Sequence, residues 1–176
     1  MEIKDLIKIP LLKGSVFNWN EKKKEIIPFI YDIEMKRYPN FISSREVECN
    51  SFKKSFVEIF KEELTNISNS IEADFEVKDV WVVLYEKGQE QYIHNHNNEG
   101  LSGIIYLDFD KEEHDSTKYF LPFNNWYNNK SLIVSENVKE GDIVVTPSFI
   151  NHFVPYNKSD KIRSIIGFDL NFKKGE

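Results

Sequence analysis

Between residues 79 and 172 the chain breaks into short runs rich in β-branched and aromatic residues, each closed off by turn chemistry. The runs are Asp79–Glu86 ahead of Lys87-Gly88, Tyr92–His96 ahead of Asn97-Asn98-Glu99-Gly100, then Leu101–Asp108, Lys118–Phe123, Ser131–Ser135, Asp142–Thr146, Asn151–Pro155 and Ile162–Phe172. Eight strands at that spacing predict a sandwich or jelly roll. No helical period interrupts them, which argues against a parallel α/β sheet.

The chain ahead of them has a different character. A strand-like Ile7–Leu12 precedes Gly14, and Pro10 restricts it to a sheet edge. From Asn20, a plausible N-cap, to about Tyr38 the pattern is helical, with Ile26, Ile30 and Ile33 on one face. Pro28 requires that helix either to begin near it or to kink there. Residues 50–68 predict a second helix, whose stripe Phe52, Phe56, Phe60, Leu64, Ile67 and Ile71 repeats at the 3.6-residue period. The expected architecture is α+β, one domain over residues 1–176. Residues 1–71 form an N-terminal helical layer that buttresses a double-stranded β-helix over 72–176.

Charge and cysteine content narrow the function. A net charge of −6 argues against a non-specific nucleic-acid binder held by phosphate contacts and disfavours an anionic membrane surface, while leaving room for a local basic pocket. The single cysteine, Cys49, forbids an intramolecular disulfide and fits a reducing cytoplasm. Met1–Asp5 opens no apolar signal region and no run is long enough to span a bilayer. The expectation is a soluble cytoplasmic protein.

The histidines carry the chemistry. His94 and His96 stand one residue apart, so on a strand both point to one face. His94 and His152 fall in the second and seventh of the eight runs, which are neighbours in a jelly roll. Arg163, at the start of the eighth, would lie deeper in the same cavity. Neutral imidazoles suit Fe(II). A guanidinium inside a barrel needs an anion, because an unpaired buried charge costs several kcal/mol, and a carboxylate can meet it in bidentate fashion.

In these features the sequence resembles the 2-oxoglutarate/Fe(II)-dependent oxygenases, in particular their small microbial and phage branch. The resemblance covers roughly residues 79–172. It rests on Trp81 through Gly88 leading into His94-Asn95-His96, then Leu101-Ser102-Gly103-Ile104-Ile105-Tyr106-Leu107. After these come Gly141 through Ser148, His152-Phe153-Val154-Pro155, and Arg163-Ser164-Ile165-Ile166-Gly167-Phe168. The resemblance implies Fe(II) held by His94, His96 and His152, with 2-oxoglutarate as cosubstrate. It implies that Arg163 binds the distal carboxylate, with Tyr106 and Tyr85 as further contacts. The expected reaction hydroxylates a small molecule or an amino-acid, peptide or protein side chain and releases succinate and CO2.

One departure leaves alternatives open. Most of the superfamily has Asp or Glu where this chain has His96. His96 is then either the third ligand or a neighbour, with Glu99 or a water completing the set. The runner-up function is a three-histidine cupin-type dioxygenase that needs no 2-oxoglutarate, and the third is a non-catalytic jelly-roll binding module. Arg163 could also pair with Asp160 or Asp169. His114 is expected to be structural. The aromatic loop Phe123–Lys130 either walls the site or packs back on the sheet.

Overall fold

A computed structural model describes residues 8–96 and 99–173. The Met1–Asp5 start, Ile7 of the first strand-like run and the Asn97-Asn98 pair lie outside them. The chain order is β1 (Leu12–Ser15), α1 (Trp19–Tyr31), β2 (Lys36–Arg37), β3 (Ile42–Ser43), α2 (Asn50–Ile59), α3 (Lys61–Ile71) and β4 (Phe75–Tyr85). It continues with β5 (Gln91–His94), β6 (Leu101–Asp108), β7 (Lys118–Asn124), β8 (Ser131–Ser135), β9 (Asp142–Pro147), β10 (Asn151–Val154) and β11 (Arg163–Phe172). All eight expected runs are strands.

They form two antiparallel sheets, one ordered β1-β9-β6-β11-β4-β3-β2 and the other β5-β10-β7-β8. The double-stranded β-helix is therefore present, and β5 pairs with β10 as a jelly roll requires. Two-residue alternation on the strands sorts the core into two layers. The outer layer contains Val82, Ile105, Val145, Ile166 and Phe168, which meet the helical stripe Phe52, Phe56, Phe60, Leu64 and Ile67. The inner layer, between the sheets, contains Trp81, Val83, Tyr85, Ile104, Tyr106, Val144 and Ile165, facing Tyr119, Ile150 and Val154. The helices thus cover the sheet's back and leave its inner face for the site.

The N-terminal segment departs from a purely helical layer. Its β1, β2 and β3 extend the larger sheet at both edges. The first strand comes later than expected, beyond Pro10, where Leu12–Ser15 have the amide hydrogens to pair with β9. α1 contains Pro28 but stops at Tyr31, because Lys36–Arg37 turn back at Pro39-Asn40 to pair with Ile42–Ser43. The second helix is two, α2 and α3, joined at Phe60 (φ −102°, ψ 21°), and it runs on to Ile71. The apolar stripe passes through that joint unbroken.

Gly103 shows how tightly the outer layer is filled. It is paired with Phe168 on β11, and a Cβ at this position would overlap the Phe168 ring. Overfilling a packed core costs typically 1–3 kcal/mol. Gly103→Ala is expected to lose about that much stability in urea unfolding, with metal uptake by the surviving folded fraction unchanged.

Candidate active site

The pairing register fixes the order of side chains along the inner face. From one end to the other, Asp169 stands opposite Ser102, Gly167 between Trp81 and Ile104, Ile165 between Val83 and Tyr106, and Arg163 opposite Tyr85. Arg163 and Asp169 therefore lie at opposite ends of this face, about 20 Å apart along the strand at 3.3 Å per residue.

The Asp169 end faces the histidines. His94 and His152 are directly opposed on β5 and β10, with ring centroids 4.3 Å apart. His96 completes a triangle, 5.3 Å from His94 and 5.0 Å from His152. One ligand atom from each lies within 4.8 Å of the other two. Glu99, the alternative third ligand, is exposed and stands outside this cluster.

His96 reaches the cluster by a route other than the expected strand face. β5 ends at His94; beyond it the His96 amide bonds to the Ser148 carbonyl (3.0 Å) instead of continuing the ladder to β10. The ring is then oriented by its side-chain partner: Nδ1 donates to Asp169 Oδ1 at 2.7 Å. That carboxylate oxygen also accepts from Ser102 Oγ at 2.7 Å. Burial alone would raise the Asp169 pKa, but the bonds from His96 and Ser102 and the charge of Arg45 outweigh it, and the carboxyl is held below its usual range.

The other two rings have their tautomers fixed by backbone. His94 Nδ1 lies 2.8 Å from the Tyr92 carbonyl and His152 Nδ1 lies 3.0 Å from that of Ile150. A carbonyl only accepts, so both Nδ1 atoms carry the proton and both Nε2 lone pairs are free to bind a metal. Burial, reinforced by the neighbouring His94, pushes His152 down to about 3; burial also lowers His94. Both imidazoles are neutral at physiological pH, the form a metal needs.

At the other end, Arg163 is 1% exposed. Its Nη2 donates to Thr117 Oγ1 at 2.9 Å. Among the described residues neither Nε nor Nη1 meets a hydrogen-bond partner. Asp160 is engaged by Lys87 (2.9 Å) and Asp169 by His96, so neither pairs with it. The guanidinium is instead enclosed by the rings of Tyr85, Tyr106 and Phe109, at 5.1, 5.7 and 5.9 Å. A buried cation with two idle donors is costly. It is suited to an incoming carboxylate.

The two tyrosines differ in what they offer that carboxylate. The Tyr85 hydroxyl gives its proton to Gln91 Oε1. The Tyr106 oxygen accepts from the Thr117 amide (3.3 Å), which leaves its own proton to donate.

A family model described as "Putative 2OG-Fe(II) oxygenase" matches residues 79–169, just over half of the chain. The chain belongs to this 2OG-Fe(II) oxygenase family. No curated protein matches it. Among solved structures, an oxidoreductase of the 2OG-Fe(II) oxygenase family from Burkholderia pseudomallei is similar over 92% of this chain and 84% of its own, with a TM-score of 0.71 and 9% identity. HygX from Streptomyces hygroscopicus, solved with nickel and 2-oxoglutarate bound, is similar over 92% of this chain and 82% of its own, with a TM-score of 0.68 and 11% identity. A prolyl-4-hydroxylase from Pseudomonas putida has a TM-score of 0.63 at 12% identity, covering 93% of this chain and 92% of its own. At these identities the likeness speaks for the fold.

The oxygenase's remaining sequence expectations are resolved by position. His114 is structural: its Nδ1 accepts from the Asp110 amide and Nε2 contacts the Lys161 carbonyl. The aromatic loop does not pack back on the sheet, since Trp126 is 93% exposed and Tyr127 84%. Five residues have places at the site that the sequence reading did not give them: Asp169, Trp81, Tyr119, Thr117 and, entering from the turn after β3, Arg45. Tyr119 stands opposite His152 in the register. Burial raises its phenol well above the usual value, so it stays protonated. Among the described residues no helix is long and apolar enough to cross a membrane.

Proposed function

We propose that this 2OG-Fe(II) oxygenase hydroxylates a small molecule or an amino-acid or protein side chain, with His94, His96 and His152 holding Fe(II) and Arg163 holding the distal carboxylate of 2-oxoglutarate. The observation that carries the reading is the buried Arg163 guanidinium with its two free donors, on the inner face that the histidine cluster closes at its far end. The donor set fits a divalent first-row ion: three imidazole nitrogens converge, with tautomers already set. When bound, iron would let O2 oxidise the substrate, with 2-oxoglutarate supplying two electrons by oxidative decarboxylation to succinate and CO2.

The protein's own part is positional. Asp169 and Ser102 orient His96, and the Tyr92 and Ile150 carbonyls orient His94 and His152. Arg163 neutralises the cosubstrate's far end, and Tyr106 donates to the same carboxylate. Tyr85 gives its proton to Gln91 and serves as a wall beside the guanidinium. The apolar inner layer of Val83, Ile104, Val144 and Ile165 excludes water between the two ends. The single cysteine supports a reducing, cytoplasmic setting for it.

Purified protein supplied with Fe(II), ascorbate and 2-oxoglutarate is expected to release succinate above a metal-free control, and EDTA is expected to abolish the release. Oxygen uptake that needs the metal but not 2-oxoglutarate would favour the three-histidine dioxygenase instead, with Arg163 on a substrate carboxylate. A protein that takes up no divalent metal would be a binding module.

A further inference from the structure

Arg45 belongs to none of the roles above, yet its guanidinium touches the histidine cluster. It stands in the turn after β3, and that turn is pinned to the large sheet. The Ser44 amide bonds to the Val82 carbonyl (3.1 Å) and Ser44 Oγ accepts from the Val82 amide (2.9 Å). From there the Arg45 side chain lies over the Trp81 ring, its Cζ 4.3 Å from the centroid. Trp81 is in turn seated in the space left by Gly167, where a Cβ would come within 2.5 Å of the ring. The result is a cation held over the Trp81 ring and within reach of His96.

Its polar contacts are few. Nη1 lies 3.2 Å from His96 Nε2, and Nη2 lies 3.4 Å from Asp169 Oδ2. Asp169 makes its short bonds through the other oxygen, to His96 and Ser102. Arg45 thus shares a carboxylate that is already engaged, at a long distance, and has five N–H donors to place. Its side chain is 40% exposed, in contrast to the fully enclosed Arg163. The contact with His96 uses the lone pair that a metal would take, so a bound metal would leave that donor without its partner.

Charge points the same way. Three histidines bring no charge to the metal, where most of the superfamily brings a carboxylate. A divalent ion with Arg163 and Arg45, set against Asp169, leaves the site three charges positive. A 2-oxoglutarate dianion cancels two of them. One remains, beside the exposed face.

We propose that Arg45 is the substrate-binding residue for an oxyanion, so that the substrate of this oxygenase carries a carboxylate or phosphate group near the carbon that is oxidised. The proposal rests on the reading of the site as an oxygenase centre. It assigns Arg163 to the cosubstrate and Arg45 to the substrate, two arginines for two anions, each reached from a different end of the inner face.

The test uses full-length protein loaded with Mn(II) and 2-oxoglutarate. Loss of 2-oxoglutarate binding at that first step would sink the oxygenase reading before Arg45 is probed. The loaded protein is then titrated with free amino acids, small carboxylic acids and phosphate monoesters, each beside its neutral amide, methyl ester or alcohol, and read by thermal shift. The same panel with Fe(II) is read by succinate release. An acid is expected to bind at least 10-fold more tightly than its neutral counterpart. Arg45→Gln should lose that preference, and Arg45→Lys should keep part of it. Both variants should still take up Mn(II) and 2-oxoglutarate, so that the acid preference can be read on loaded protein, because Asp169 still holds His96. A neutral compound as the best ligand, no acid bound at all, or an acid preference that survives in Arg45→Gln would each overturn the proposal.

Discussion

Arg163→Met is expected to abolish 2-oxoglutarate binding while leaving the protein as stable as before or more so. The two effects have one cause. Arg163 is buried with two donors that meet no partner among the described residues, so the folded protein carries the desolvation cost of a cation without the matching anion. The three surrounding rings offset part of that cost, and Thr117 supplies one bond. Methionine is unbranched and flexible, two atoms shorter, and has no charge to desolvate. Replacing buried charges by apolar side chains of like volume is commonly neutral or stabilising by about 1–4 kcal/mol. On the binding side, charge-assisted hydrogen bonds are worth about 1.5–3 kcal/mol each. Losing two corresponds to roughly two to four decades in affinity. Calorimetric titration of 2-oxoglutarate into Mn(II)-loaded protein reads the first effect and urea unfolding the second. Arg163→Lys, which keeps the charge but not the planar fork, should fall between. A Met variant that binds 2-oxoglutarate within about 3-fold of the parent would remove Arg163 from the cosubstrate site.

The second large effect concerns metal. His152→Ala is expected to abolish the rise in melting temperature that Mn(II) gives the parent protein, since stabilisation by a ligand follows its affinity. His152 is the cross-strand partner of His94, and its ring lies within 5.0 Å of both other rings. Its loss removes one of three donors and leaves the remaining pair on one side. Asp169→Asn makes the comparison informative. Asparagine keeps the size of the side chain and an acceptor for His96 Nδ1, but removes the charge behind the ring. Such outer partners are worth 10–100-fold in metal affinity, so this variant should bind weakly where His152→Ala does not bind. Equal loss in both would mean that Asp169 is itself a ligand.

The fold was legible because its signals are local. Eight runs of β-forming residues with turn residues between them lie in one stretch, and each run is a strand. The pairing of His94 with His152 and the burial of Arg163 followed from strand order alone. What the sequence hid depends on register and on neighbours distant in the chain. Asp169 becomes a partner of His96 because β11 places it opposite Ser102, 67 positions away. Arg45 reaches the site because Ser44 bonds to Val82. His96 was expected to share a strand face with His94; the strand stops short, and Ser148 and Asp169 set its place instead. The glycine that admits Trp81 carries no signal until the opposing ring is seen.

On the function proposed, three histidines and one arginine define the two ends of a single oxygenase centre. Its most direct test is a crystal structure of the protein with Mn(II) and 2-oxoglutarate, the metal located by anomalous scattering. The account predicts manganese bound by Nε2 of His94, His96 and His152, with the distal carboxylate of 2-oxoglutarate on Nε and Nη1 of Arg163. Manganese held without His96, or a carboxylate bound anywhere other than Arg163, would contradict it.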